Sequence, residues 1–392
     1  MKCFDVVLNV LGEDILVGQL GAVKERKLVI SFQYDLAFLA SKNFFNISPE
    51  LYEGAAIQYP HPKGLFGFME GSMPDRWGKA LIKRKLGRAI DDLDALLEID
   101  DFARMGALRF YDKAGPLSQC SNIPTLKNIR ELQNLVNKAD DLSADLTDLF
   151  DPGSPLGGAR PKAGIMDEGF LKIAKFPKND DNYNVEAWEK TMLDLASQLD
   201  INVPKTAIMY TPLSKYAVLI LERFDRQGDQ RKPYLSAMSA LQVSDNDDTG
   251  SYVEIIDFIS QFGEIEDAKE LWKRMVFGML VNNYDDHLRN HGFIREGDRW
   301  RLSPAFDINP STDTNHHRLS IDGNSHEPDV NLAIELSGHF YLIQEEANVW
   351  LEKAVTILST QLESIARKNK IAVSEISVIS KKLNYQHLVD AV

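Results

Sequence analysis

The chain has 392 residues, 44% hydrophobic and 26% charged, the proportions of a globular protein with room for two or three domains and their cores. Its formal net charge of -14 argues against the chain gripping nucleic acid by itself, because that binding rests on neutralising phosphates; a basic partner could still bring it to DNA. Two cysteines, Cys3 and Cys120, are too few and too far apart for a disulfide framework or a cysteine-rich metal site. In chain order, residues 4–34 alternate apolar and polar positions, which predicts an antiparallel meander. Helical patterns follow at Pro74–Leu86 and Asp91–Phe102, then a short strand at Ala107–Tyr111 and a Pro- and Gly-containing linker at Asp112–Asn122. Next come a helix near Leu126–Ala139, strands at Ala163–Met166, Phe170–Phe176, Thr206–Tyr210 and Tyr216–Phe224, and a long helix at Val185–Leu199. After Arg226 the pattern is mainly helical: Leu235–Val243, Tyr252–Phe262, Glu266–Asn283, Tyr341–Ala366 and Val373–Lys382. The expectation is an α+β fold in three parts: an N-terminal β-rich subdomain (1–115), a second α+β unit (116–225) and a helical remainder (226–392).

Asp5 and Glu13 interrupt the apolar residues at the N-terminus, so no signal peptide is expected. No run approaches the ~20 apolar residues of a membrane span. The expected compartment is a reducing cytoplasm, away from any membrane.

The most informative stretch is Asn283-Tyr-Asp-Asp-His-Leu-Arg-Asn290, followed by Ser303-Pro-Ala-Phe-Asp-Ile-Asn309. Asp285 and Asn290 are five positions apart, and Asp307 follows seventeen residues later. Protein kinases place an acid at the substrate hydroxyl, an Asn for Mg²⁺ five residues on, and a later Asp that completes the metal site. Two short apolar runs around a turn, 291–295 and 300–303, predict a hairpin that would fold the three polar groups back onto one point.

Four upstream features fit the same chemistry. Gly153-Ser-Pro-Leu-Gly-Gly-Ala-Arg-Pro-Lys162 is a glycine-rich loop entering a strand, and its plain alternative is a surface turn. Its glycines, Gly158 among them, would let backbone N–H groups approach phosphate, with Lys162 or Arg160 adding charge. Strand alternation puts Lys175 on the face of Leu171 and Ile173, where an ammonium needs an anion; a strand-end lysine reaching water is the bland reading. Glu186 or Glu189, on the next helix, is the candidate carboxylate partner, with Glu189 beside the apolar side marked by Leu193. Tyr216–Arg226 is an apolar strand that turns polar, where a hinge and an adenine slot are expected.

Taken together, these residues resemble the HipA-type kinases, the toxin half of HipA–HipB toxin–antitoxin modules. The similar stretches are Met73-Pro-Asp-Arg-Trp-Gly78, Gly158-Ala-Arg-Pro-Lys162, Lys175-Phe-Pro177, Glu189 with 195–204, Glu222-Arg-Phe-Asp-Arg226, 251–258, Asp285-x-His-x-x-Asn290 and 302–307. The resemblance implies a two-lobed, protein-kinase-like fold and an ATP- and Mg²⁺-dependent serine/threonine kinase. It implies that Lys175 contacts ATP phosphates, as do Gly158, Ala159 and Lys162 in the loop. It also implies that Glu222 to Phe224 offer backbone groups to adenine, that Asp225 lies near the ribose, that Asp285 is the base and that Asn290 and Asp307 hold Mg²⁺. Ser154 is similar to the family's autophosphorylated serine, which switches the kinase off. Implied partners are a protein with a Ser or Thr acceptor, an aminoacyl-tRNA synthetase in studied relatives, and a HipB-like DNA-binding antitoxin.

Other assignments use the same residues. Asp286 could be the base in place of Asp285. His287 and His291 have a helical zinc spacing, and with Asp285, Asp286, His316 and His317 they sketch a metal hydrolase. Against this, His287 reads as a residue that holds the loop by hydrogen bonds and so borders the ATP site. A scaffold that acts as co-repressor with an antitoxin is a further alternative, opposed by the intact trio Asp285, Asn290 and Asp307.

Overall fold

The computed structural model describes residues 1–10, 12–24, 26–60, 64–74, 76–118, 123–139, 160–228, 230–243, 250–311 and 316–391. They form two compact units, one of Met1–Asn179, Thr211–Leu213 and Glu222–Leu235, the other of Asp180–Tyr210, Ser214–Leu221 and Ser236–Val392. This differs from a division at 115 and 225. The long helix after residue 180 packs on the helix Gln344–Lys368 and groups with the helical remainder, while the hairpin before it groups with the N-terminal part. Among the described residues no helix is long and apolar enough to cross a membrane.

The first unit carries the expected meander. Strands β1 (Lys2–Val10), β2 (Glu13–Lys24), β3 (Leu28–Tyr34), β4 (Leu108–Asp112) and β5 (Gly115–Pro116) form an antiparallel sheet in the order β3-β2-β1-β4-β5. Its alternation puts Phe4, Val6 and Leu8 of β1 into one core with Val17, Leu20, Phe32 and Tyr34, closed by Phe66 and Phe68. Helices α1 (Arg76–Leu86) and α2 (Asp92–Leu97) follow, the second opened by a capping box between Asp91 and Asp94. It stops short of the expected Phe102 because Arg104 takes the carbonyls of Leu96 (2.9 Å) and Ile99 (3.1 Å), bending the chain out of the helix. After α3 (Ile129–Ala139), strands β6 (Lys162–Asp167) and β7 (Phe170–Lys175) make a two-residue hairpin. Its turn, Glu168 and Gly169, has positive φ at both positions (50° and 83°), the conformation that matches strand twist.

The second unit opens with α4 (Val185–Gln198), followed by the hairpin of β8 (Thr206–Tyr210) and β9 (Ala217–Glu222). Helices α5 (Tyr252–Phe262) and α6 (Ile265–Leu280), the hairpin β10 (Gly292–Glu296) and β11 (Arg299–Leu302), and helices α7 (Gln344–Lys368) and α8 (Val373–Ser380) complete it. Trp188, Trp272, Phe277 and Phe340 are fully buried, and Trp272 meets Trp350 edge-on at 5.6 Å. Two expectations shift. Leu235–Val243 is a strand end at Tyr234–Ser236 and a single turn at Ala237–Ala240, capped by Ser236. The last long helix starts at Gln344 because Tyr341 has φ 58°, which a continuing helix cannot accept.

Candidate active site

The site begins where α6 ends. Asn282 adopts φ 59°, the left-handed turn that closes a helix, and its amide is held by the Lys382 carbonyl and the Asn384 N–H, both at 2.8 Å. The chain then passes Tyr284, Asp285 and Asp286 and makes one tight turn at Leu288–Asn290, with Asn290 N–H on the His287 carbonyl at 2.8 Å. Asn290 is buried, and its Nδ2 donates to the Asp285 carbonyl at 3.2 Å. With the nitrogen so engaged, the oxygen Oδ1 is the atom the amide has for a cation.

The expected hairpin is present between Asn290 and Asp307, paired Phe293 to Leu302 through Glu296 to Arg299. It returns the chain to the loop: Asp307 N–H donates to Glu189 Oε1 (3.1 Å), Asn309 N–H to Asn283 Oδ1 (3.0 Å) and Ser311 N–H to the Asn282 carbonyl (2.8 Å). Asp307 itself has φ 62°, a conformation that a non-glycine residue holds only where its surroundings over-determine it. Glu189, only 2% exposed, is thus a fixed strut beneath Asp307.

The neighbouring acids have opposite environments. The Asp285 side chain is 73% exposed and pairs with Arg318 Nε at 2.9 Å. Asp286 is buried, accepting from the Tyr252 hydroxyl and contacting His291 Nε2 at 2.9 Å through one oxygen, Oδ2. Burial pushes its carboxyl upward, but the His291 imidazole and the bonds from His291 and Tyr252 hold it below the ordinary value. Of the two, Asp285 is the one open to solvent. Asp286 anchors the loop, a task expected of His287; His287 is half-buried and its Nδ1 has no hydrogen-bond partner among the described residues.

The zinc arrangement does not assemble. Residues 287–291 are a tight turn entering a strand, so the two histidines do not share a helix face. His316 is exposed beside Glu327 (2.9 Å), while His317 is buried edge-on to Tyr284. Among the described residues, no three His, Cys, Asp or Glu side chains are placed to hold a metal together.

In the first unit, Lys162 and Lys175 are register partners across β6 and β7, 4% and 8% exposed. As register partners in an antiparallel ladder they leave the strands on the same face. Lys172, on the other face, is tied to Asp167 at 2.7 Å. Glu186 is as buried as Glu189, at 1%; it is Glu189 that supports Asp307. Glu222 and Phe224 are half-buried, with Phe224 packed 6.0 Å from Tyr234. Asp225 departs from its expected place at a ribose. It is 0% exposed, bonded by Arg223 Nε and Nη2 and Arg226 Nη1 (each 2.6 Å) and by Gly106 N–H (2.7 Å). Burial opposes its charge, but the two guanidiniums outweigh that and hold it ionised. So enclosed, it stabilises the hinge segment and offers no oxygen to a sugar. Ser154, Gly158 and Ala159 lie outside the described residues.

Sequence reasoning missed Tyr252, Asn282, Asn283 and Arg318. Ser251-Tyr-Val-Glu254 is a helix-start signature that places Tyr252 at the head of α5, but nothing in the sequence pairs it with Asp286.

Comparison with known proteins agrees with this architecture. Residues 154–373 match the HipA-like C-terminal domain and residues 8–111 the HipA N-terminal domain. A Haemophilus influenzae protein named "Putative kinase" is 25% identical over 179 residues, 40% of this chain and 52% of that protein; the chain spans about half the length of the curated relative it matches. HipA of Shewanella oneidensis MR-1, solved with HipB and operator DNA as a toxin–antitoxin system, has a TM-score of 0.73 and 16% identity, covering 99% of this chain and 96% of that one. At that identity the likeness is one of fold, an α+β arrangement of HipA type. With its C-terminal domain model alone matching more than half of the residues, the chain belongs to the HipA family.

Proposed function

We propose that this protein is a Mg²⁺-ATP-dependent serine/threonine protein kinase, the toxin of a HipA–HipB-like pair. The observation that carries the reading is a set of hydrogen bonds: Asn290 Nδ2 ties to the Asp285 carbonyl, Asp307 N–H to Glu189, and Asn309 N–H to Asn283 Oδ1 joins the two segments. The residues fit the groups the reaction requires. Asn290 Oδ1 and the Asp307 carboxylate are the hard oxygen donors that suit Mg²⁺, and the buried pair Lys162 and Lys175 suits polyphosphate. Mg²⁺ held by Asn290 and Asp307 would supply positive charge against the phosphates.

The chain's own residues then divide the work. Lys162 and Lys175 hold phosphates, while Glu189 fixes the backbone that aims Asp307. Asp285, exposed at the loop surface, accepts the proton of an acceptor hydroxyl, and Asp286 keeps the loop in place from behind. Positioning and charge account for most of the rate, since phosphoryl transfer needs little covalent help. The acceptor is a protein Ser or Thr, with aminoacyl-tRNA synthetases as the class implied by the family. A HipB-like antitoxin would restrain the kinase and carry it to DNA, which suits a chain of net charge -14 in a bacterial cytoplasm. Self-phosphorylation at Ser154 is the proposed off-switch.

The test is incubation with γ-labelled ATP and Mg²⁺, followed by mass spectrometry of the chain. Label transfer that disappears in Asp285→Asn is the expected result. ATP binding without any transfer, to itself or to added protein, would favour the scaffold instead.

A further inference from the structure

The residues after Asp307 return to the catalytic loop a second time. Arg318 N–H donates to the Tyr284 carbonyl (3.1 Å) and Leu319 N–H to the Asp286 carbonyl (3.2 Å), one on each side of Asp285. The strap is clasped farther along by Ser320 N–H on the Gly250 carbonyl (3.0 Å) and Tyr252 N–H on the Ser320 carbonyl (3.1 Å). Before Arg318, His317 is buried edge-on to Tyr284, ring centroids 5.0 Å apart. Backbone bonds and a buried ring therefore place the guanidinium of Arg318 on Asp285, with Nε 2.9 Å from Oδ1.

This pair does little for folding. The side chains are 51% and 73% exposed, and ion pairs so open to solvent contribute little to stability. Its position matters more. A hydroxyl activated by Asp285 must come within hydrogen-bond reach of that carboxylate, about 2.6–3.2 Å. The oxygen that accepts the phosphoryl group therefore sits beside a guanidinium already in contact with the same carboxylate.

We propose that Arg318 is a catalytic residue that contacts the transferring phosphoryl group and stabilises its charge, with Asp285 holding the guanidinium ready. The assignment rests on the kinase reading with Asp285 as base. In the balanced step, the bond between the γ-phosphorus and its bridging oxygen breaks as the bond to the acceptor oxygen forms. Asp285 receives the hydroxyl proton, ADP leaves with the bridging oxygen's electrons, and Arg318 takes part only as a hydrogen-bond donor.

The experiment compares wild type, Arg318→Ala, Arg318→Lys, Asp285→Asn and the surface control Arg367→Ala, whose arginine pairs with Glu363 on the exposed face of α7. Single-turnover label transfer from γ-labelled ATP, to the chain itself and to casein, is measured against ATP concentration. Arg318→Ala is expected to lower the maximal rate at least ~100-fold while half-saturating ATP changes less than about threefold. Arg318→Lys should restore part of the rate, and added guanidinium ion should rescue Arg318→Ala but not Asp285→Asn. Thermal unfolding of Arg318→Ala should match that of Arg367→Ala. An Arg318→Ala protein as fast as wild type would overturn the proposal, and a faster one would show that the pair is a lock on the base. Should Asp285→Asn retain full activity while Arg318→Ala is slow, the base assignment falls and the cation stays. A silent wild type removes both.

Discussion

Asp285 and Asp286 are chemically identical neighbours, and what separates them is which way the loop turns each one. Asp286 is enclosed by Tyr252 and His291, whereas Asp285 is open to solvent and touches Arg318. Asp285→Asn keeps size and hydrogen bonding but removes the base, so ATP should still bind while phosphoryl transfer stops. Asp286→Asn should instead be seen in folding, with a loss of about 1–3 kcal/mol in urea denaturation from disturbing a buried charged hydrogen bond. If Asp286→Asn is the inactive variant and Asp285→Asn works, the base is off by one position. His317 gives a second residue-scale expectation. Burial pushes its imidazole down from 6.5 to about 4, so the unfolded chain binds a proton there more readily than the folded one. That stability is fully present above pH 6.5 and is lost as pH falls towards 4, by about 3 kcal/mol in all. His317→Phe should flatten this part of the stability–pH profile in denaturant titrations, and an unchanged slope would show that another group causes it.

At the scale of elements, the sequence was most legible where a pattern repeats locally. The meander of β1 to β3, the helix Tyr252–Phe262 and the hairpin between Asn290 and Asp307 all follow from alternation, helical spacing and turn residues. What it did not show are contacts between distant positions: Tyr252 with Asp286, Arg318 with Asp285, and the enclosure of Asp225 by Arg223, Arg226 and Gly106. Each depends on tertiary packing that no local period encodes. Asp225 was expected near a ribose from the family resemblance, yet it is enclosed by buried guanidiniums. The segment after the hairpin carries its own prediction because it holds a residue of positive φ. Asp307 combines a carboxylate with φ 62°, a conformation that costs an ordinary L-residue roughly 1–2 kcal/mol relative to glycine. Both Asp307→Ala and Asp307→Gly should lose at least ~100-fold in phosphoryl transfer, but Asp307→Gly should be the more stable of the two by about 1 kcal/mol. Equal urea midpoints would mean that the backbone there is not strained, and near-normal turnover in either at saturating Mg²⁺ would sink the metal assignment.

The whole molecule is acidic, with a net charge of -14, yet it buries two lysines opposite each other on β6 and β7. A phosphate close to these lysines in sequence would compete for them. Ser154 precedes Lys162 by eight positions, within the Gly153-Ser-Pro-Leu-Gly-Gly stretch. A phosphate on Ser154 adds roughly -1.5 to -2 charge, so it should compete with ATP for the same ammonium groups and silence the enzyme. Pro155 restricts the serine's freedom, which favours transfer between molecules over transfer within one. The initial rate of self-labelling per molecule should therefore rise with protein concentration. Peptide mass analysis should find phosphate on Ser154 in wild type and none in Asp285→Asn, and Ser154→Asp should bind ATP more weakly. Lys162→Met supplies the link between switch and site: it should weaken ATP binding in the unmodified protein and reduce the further loss caused by Ser154→Asp. A protein that phosphorylates others yet never modifies Ser154, or a Lys162→Met variant in which the Ser154→Asp effect is undiminished, would separate the serine from the lysine pair.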